Sequence, residues 1–313
     1  MGTNYYFDST NGFVAILDIH FGKKCNIRLD NTEDVIEKKL NEVLEYCLNN
    51  DVKVVILAGD VFENCSIDRK TFMRAYSIFN EFKKNGVYVF TIYGNHDEYR
   101  YNPKYRKETP LNDLKDLEVI TIINSEDSIE IVDYNYITYN IYGFPYTETD
   151  KLKEFSINKE YNDEERNVII GHTFFENEFM GGDNNLTKEH IKKIGADYYI
   201  LGHDHSYYEP EEVSNSYVFR FGSLVRGTSS KNDLEREVMV MHFCDNEWEK
   251  IKLNAPKLEN VVIAKASIKE QKIDYKEMIE EIKITDDDNN DSVIEAINKI
   301  ENEKVKEVIR RNI

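Results

Sequence analysis

Short apolar, β-branched runs punctuate the chain at residues 13–17, 52–58, 87–92, 137–142, 168–170, 198–201, 218–221 and 238–243. Each has about the length of a strand. Between the first three lie segments with helical spacing. Residues 32–49 place Val35, Ile36, Leu40, Val43, Leu44 and Cys47 on one face, and residues 68–85 do the same with Phe72, Tyr76, Phe79 and Phe82. Gly86 stands where a helix stop is expected. A strand–helix–strand–helix opening predicts a parallel sheet with crossover helices. The later runs succeed one another more closely, which predicts a second, antiparallel or mixed sheet packed against the first.

From residue 252 the pattern changes. One more strand is expected at 261–266 and two helices at 275–283 and 292–310, separated by the acidic stretch Asp286-Asp-Asp-Asn-Asn-Asp291. The chain therefore divides into a main domain, 1–251, and a small C-terminal α+β appendage, 252–313. The acidic stretch lacks the loop glycine and closing glutamate of a calcium-binding EF-hand and reads as a solvated loop.

The residues just past each run are more informative than the runs. Asp18-Ile-His20 stands after the first, Gly59-Asp60-Val-Phe-Glu63 after the second and Gly94-Asn95-His96-Asp97 after the third. Gly171-His172 and Gly202-His203-Asp204-His205 close two of the later runs. Ligands of open α/β sheets bind at the carboxyl ends of strands, and five such ends here carry oxygen and imidazole donors. Four have a neighbouring glycine that lets the backbone turn sharply. Five of the seven histidines fall in these places; His190 and His242 do not.

A set of imidazole, carboxylate and one amide oxygen, without thiolate, suits manganese, iron or zinc. Asp18, His20, Asp60, Asn95, His172, His203 and His205 are too many donors for one ion, and Asp60 is placed to bridge two. Two divalent ions about 3.5–4 Å apart would hold a hydroxide between them and clamp a phosphate for in-line displacement. This chemistry is phosphate-ester hydrolysis.

Composition narrows the picture. A net charge of −19, from 59 acidic and 40 basic residues, argues against a protein that coats nucleic acid without specificity. It leaves room for an enzyme acting on nucleic acid through metal ions and a local basic rim. Four scattered cysteines, Cys25, Cys47, Cys65 and Cys244, form no CxxC pair and read as reduced, mostly buried thiols of a cytoplasmic chain, in the host cytoplasm if the source is viral. No run approaches a membrane span and the start lacks a signal-peptide layout.

The motifs DIH, GDVFE, GNHD, GH and GHDH, in this order over about residues 13–245, resemble the calcineurin-like metallophosphoesterase superfamily. The resemblance implies a four-layer α-β-β-α sandwich. It also implies that Asp18, His20, Asp60 and His205 bind one metal while Asp60, Asn95, His172 and His203 bind the other. His96 would stabilise the transition state or protonate the leaving oxygen, with Asp97 holding its ring. Glu63, where many relatives carry Asp or His, would support a ligand from behind.

Three features resemble the SbcD-type DNA repair nuclease branch. These are Asp18-Ile-His20-Phe-Gly22, the Gly222-Ser-Leu224 element shortly after GHDH, and the continuation past the catalytic core. That branch implies a manganese-dependent DNA exonuclease or endonuclease of repair and recombination, a possible homodimer and an SMC-like (SbcC-type) ATPase partner. The stretch Tyr99-Arg100-Tyr101-Asn-Pro-Lys104-Tyr105-Arg106-Lys107 comes directly after GNHD. Its basic residues, interleaved with tyrosines, could pair phosphates and stack on bases. Arg100, Lys104, Arg106 and Arg226 are the candidate substrate contacts. Two other readings stay open: a phosphodiesterase or phosphatase for nucleotides and other small esters, and a non-catalytic scaffold, although no ligand is missing.

Overall fold

Alternating burial along single strands builds the layers. In the computed structural model the order of elements begins β1 (Asn4–Thr10), β2 (Phe13–Ile16), α1 (Thr32–Asn49), β3 (Val54–Leu57), α2 (Arg69–Lys84), β4 (Tyr88–Thr91), α3 (Pro110–Asp116) and β5 (Thr121–Ile122). It continues β6 (Ser128–Asp133), β7 (Thr138–Phe144), α4 (Thr149–Glu154), β8 (Glu165–His172), β9 (Phe174–Phe175), β10 (Asn185–Leu186), α5 (Lys188–Ile194) and β11 (Tyr198–Gly202). It closes with β12 (Glu211–Val213), β13 (Ser216–Phe219), β14 (Met239–Cys244) and β15 (Glu247–Lys252). The structure describes residues 2–25, 28, 30–157, 162–177, 182–227 and 236–254, all within the compact unit Met1–Val262. The strand, helices and acidic loop expected beyond residue 260 lie outside the described residues.

One six-stranded sheet runs β15-β14-β2-β3-β4-β5, and a seven-stranded sheet runs β1-β6-β7-β8-β11-β13-β12. On β2, Val14 and Ile16 turn toward a cluster shared with Leu40, Val43 and Leu44 of α1 and Phe79 and Phe82 of α2. Their neighbours Phe13 and Ala15 turn the other way, against Tyr139, Ile141, Val168 and Ile200 of the second sheet. On β8 and β11 the same alternation sends Ile169, Tyr199 and Leu201 outward onto Leu152 of α4 and Ile191 and Ile194 of α5. Three apolar interfaces thus separate four layers, helix–sheet–sheet–helix, as the resemblance implies.

Local chemistry ends the long helices. Asn31 accepts the N–H groups of Glu33 and Asp34 at the start of α1, and Asp68 accepts that of Thr71 at the start of α2. Gly86, at φ +74°, takes the left-handed position just past α2.

One expectation needs correction. The first sheet is parallel only from β2 to β5; the late strand β14 returns to pair antiparallel with β2, and β15 extends the sheet beyond it. The second sheet is mixed, as expected, with parallel β7, β8, β11 and β13 at its centre. Strands β1, β6 and β15 carry no continuous apolar run because each buries at most one face. No helix among the described residues is long and apolar enough to cross a membrane.

Candidate metal centre

The parallel strands of both sheets end at one edge, and the donors stand there. Asp18 and His20 lie just past β2, Asp60 and Glu63 past β3, and Asn95–Asp97 past β4. Across the sandwich, His172 ends β8, and His203 and His205 come directly after β11. Ligand atoms of Asp18, His20, Asp60 and His205 all lie within 4.8 Å of one another, as do those of Asp60, His172 and His203. Asp60 belongs to both groups, so the structure brings the expected donors together around a shared carboxylate. Asn95 joins the second group, with Oδ1 3.0 Å from His172 Nε2.

The backbone bends hard to achieve this. Asp18, His20, Asp60 and His203 all have positive φ, between 43° and 89°, a conformation that costs about 1–3 kcal/mol per non-glycine residue and needs firm neighbours. Here His20 N–H donates to Asp60 O at 2.9 Å and Phe21 N–H to Val61 O at 2.8 Å. His203 N–H donates to Asp18 Oδ1 at 3.0 Å. Gly94 is required for close approach: a Cβ there would lie 2.0 Å from Asp60 Oδ1.

The donor set asks for cations. His172 Nδ1 donates to Ala58 O at 2.7 Å, which points Nε2 at Asn95 Oδ1, 3.0 Å away, and at Asp60 Oδ2, 3.2 Å away. Asp60 Oδ2 is buried without a hydrogen-bond partner, and His20 Nε2 and His205 Nε2 face each other at 2.9 Å. Lone pairs converging in a buried space are costly unless a positive charge sits between them.

Titration reflects the same field. Burial pushes His203 down to about 3 and His205 down to about 2, with His172 and His20 respectively adding to the effect, so both rings are neutral, the form that can ligate a cation. Burial also pushes His172 down, but Asp60 and Asp18 outweigh it and lift the ring to about 9. Burial raises Asp18, whereas at Asp60 burial is overcome by the neighbouring His172 and His20, which hold the carboxyl well below its usual range.

Behind the donors, Glu63 Oε2 lies 2.9 Å from His20 Nδ1 and 3.7 Å from Lys23 Nζ, a carboxylate within ion-pair reach of the imidazole. The His96 side chain stands outside both groups that share Asp60: its Nε2 is 4.0 Å from Asp60 Oδ2, it is 37% exposed, and it clusters instead with His20 and Glu63, while its backbone N–H donates to Asp60 Oδ1 at 2.9 Å. Asp97 does not hold the His96 ring, contrary to expectation. His96 Nδ1 donates instead to the Glu63 carbonyl at 2.6 Å. Asp97 is buried and accepts the N–H groups of Val61, Phe62 and Gly94, so it pins the two ligand loops to each other. Burial, reinforced by Asp60, raises its carboxyl to about 7.

The four candidate substrate contacts part company. Arg106 is a structural residue: it donates to Glu98 at 2.6 Å, Glu148 at 3.2 Å and Thr147 at 3.1 Å, and lies 4.6 Å above the Tyr93 ring. Two buried carboxylates hold its guanidinium against solvent and substrate. Arg226 donates from Nε, at 3.0 Å, and from a terminal nitrogen to the Arg236 carbonyl, which turns it toward its own loop. Arg100 and Lys104 remain exposed on the turn. The cysteines are unpaired, and only Cys47 is buried; the other three are half-buried.

Sequence reasoning missed Tyr146 and Phe174. The Tyr146 ring lies 5.2 Å from the His203 ring, and the Phe174 ring 4.2 Å from it. The signal was present, since Gly143-Phe-Pro-Tyr146 closes β7 as the ligand motifs close their strands.

The geometry is that of a metal-dependent phosphoesterase with a dinuclear centre, and residues 13–207 match the calcineurin-like phosphoesterase family. The chain belongs to that family. It is 27% identical over 197 residues to a DNA double-strand break repair protein Mre11 of Methanocaldococcus jannaschii, covering 62% of this chain and 51% of that protein. A protein of the same name from Saccharolobus solfataricus is 24% identical over 213 residues, covering 66% and 53%. The chain spans about half the length of these curated relatives. Its fold is similar to a dimetal phosphatase from Danio rerio, with a TM-score of 0.50 and 12% identity over 79% of this chain and 97% of the other.

Proposed function

We propose that the protein is a manganese-dependent DNA nuclease of the SbcD type. One juxtaposition carries this reading: a two-metal donor set beside an exposed basic and aromatic turn, Arg100, Tyr101 and Lys104, which leaves the site directly after His96 and Asp97. The likeness to two DNA repair proteins points the same way.

When bound, two divalent cations supply an activated water and neutralise the charge of the phosphate. Asp18, His20, Asp60 and His205 hold one cation, and Asp60, Asn95, His172 and His203 the other. Glu63 fixes His20 from behind. His96 Nδ1–H donates to the Glu63 carbonyl, which turns Nε2 toward the site as the atom that would pass a proton to the leaving oxygen. Arg100 and Lys104 pair flanking phosphates. Residues 252–313 are assigned a cap-like or partner-binding role, the partner being an SMC-like (SbcC-type) ATPase, and the chain works as a homodimer in the cytoplasm. The net charge of −19 favours a second reading, in which the same centre hydrolyses nucleotides or other small esters.

Digestion of end-labelled single- and double-stranded DNA with manganese, beside bis-p-nitrophenyl phosphate and with His96→Ala as control, separates the two. DNA cleavage that His96→Ala abolishes supports the nuclease. Cleavage of the small diester alone overturns it in favour of the second reading.

A further inference from the structure

An aromatic row borders the second metal position. Tyr101 and Tyr146 have ring centroids 5.7 Å apart, Tyr146 is 5.2 Å from His203 and 6.2 Å from His172, and Phe174 braces His203 edge-on from another side at 4.2 Å. Packing does not account for Tyr101, which is 61% exposed. Nor does the backbone favour it: Arg100 and Tyr101 stand in succession at φ +53° and +54°, a region that bulky residues avoid. Strain of this kind gathers at ligand clamps.

Tyr146 is held from below. Its N–H donates to Tyr93 O at 3.0 Å, and the next residue, Thr147, is bonded to both Glu98 and Arg106. Arg106 thereby ties the segment bearing Tyr101 to the segment bearing Tyr146. The Tyr146 hydroxyl makes no hydrogen bond among the described residues. Tyr146 is therefore fixed, and its ring and that of Tyr101, inclined at 47°, form an open, apolar-faced notch beside a site whose donors select phosphate.

Resting on the nuclease reading, we infer that Tyr101 and Tyr146 are a stacking platform for the base next to the scissile phosphate. A base can lie on these rings only when it has left its own stack, so the platform sets specificity for an unpaired nucleotide, in single strands or at frayed ends. Discrimination comes from the π-face, which every base has, so the platform selects strand state and not sequence.

The test uses a single-stranded oligonucleotide carrying one abasic tetrahydrofuran residue, with kcat/KM read at the flanking phosphodiesters against the same bonds in the intact strand. The wild-type protein is expected to cut the abasic-flanked bond about 10- to 100-fold more slowly. Tyr146→Leu is expected to move that ratio toward one while Tyr146→Phe keeps it, as a cycle of paired changes requires. Bound metal is measured in each variant. Equal wild-type cleavage of both strands overturns the platform but leaves the nuclease standing, and decides the matter even if Tyr146→Leu does not fold. An undiminished ratio in a metal-loaded Tyr146→Leu protein also overturns it. If the wild-type protein cuts neither strand, the nuclease reading falls and the platform with it.

Discussion

The floor of the site and its rim are adjacent in sequence yet obey different physics. The floor, from Asp18 to His205, is made of side chains drawn from both sheets, mostly buried and tied together by backbone contacts. The rim, from Tyr99 to Glu108, is two short 3-10 turns without a buried residue. In the floor a charge lacks solvent and must find a counter-charge; in the rim it need not. Arg100 and Arg106 make the contrast sharp. They belong to the same rim and carry the same guanidinium, but Arg106 has its side chain 17% exposed between Glu98 and Glu148, while Arg100 faces solvent above the Tyr99 ring. Charge in a sequence marks a candidate, and burial decides its role.

The largest effects are expected in the floor. His96→Ala should lower turnover about 10²- to 10⁴-fold while elemental analysis still finds two metals per chain. A variant that loses metal would move His96 into the ligand set. Asp60→Asn should disturb both metals together, and a protein that kept both after dialysis against chelator would end the bridging role.

Arg106→Leu should behave like a floor mutation although it lies in the rim. It strands Glu98 and leaves Glu148 with Lys151 and the Ser125 N–H as its partners, and urea denaturation is expected to record a loss of about 3 kcal/mol or more. An unchanged urea midpoint would erase the distinction drawn between the two arginines.

Lys39 extends the burial rule to helix α1, beside the segment whose Leu224 N–H donates to Asp18 O. Its Nζ donates to Leu224 O at 2.7 Å. Burial, helped by Arg28, Arg236 and Arg226 and opposed by Glu42, brings its pKa from 10.5 down to about 7. Between those values the unfolded chain holds a proton that the folded chain lacks, so stability rises with pH across that window; below about 7 lysine is charged in both states. The stability difference between the wild-type protein and Lys39→Met should thus shift in favour of the wild type from about pH 7 to about pH 9.5, by up to about 1.4 kcal/mol per pH unit. A flat difference would contradict it.

The smallest effects belong to the exposed rim. Arg100→Ala and Lys104→Ala should change stability by no more than about 0.5 kcal/mol, yet each should reduce the salt dependence of DNA binding by about one unit of slope. An unaltered slope would remove both from the substrate path.

By itself the sequence determined the elements with a strong period and the chemistry at their ends. The helix at 32–49 is read to the residue, and all seven donors are named by strand-end motifs, because a run of β-branched residues and the turn that closes it are local. Only the tertiary structure decided what depends on contacts between distant segments. It placed β14, with β15 beyond it, beside β2 near the start of the main domain, and gave the edge strand β1 and its neighbour β6 partners that bury one face. It turned Asp97 from the His96 ring to three backbone N–H groups, sank Arg106 between two glutamates, and brought Tyr146 against His203. A side chain's partner is set by which of the groups around it lose their water together, and that is known only once the layers have closed.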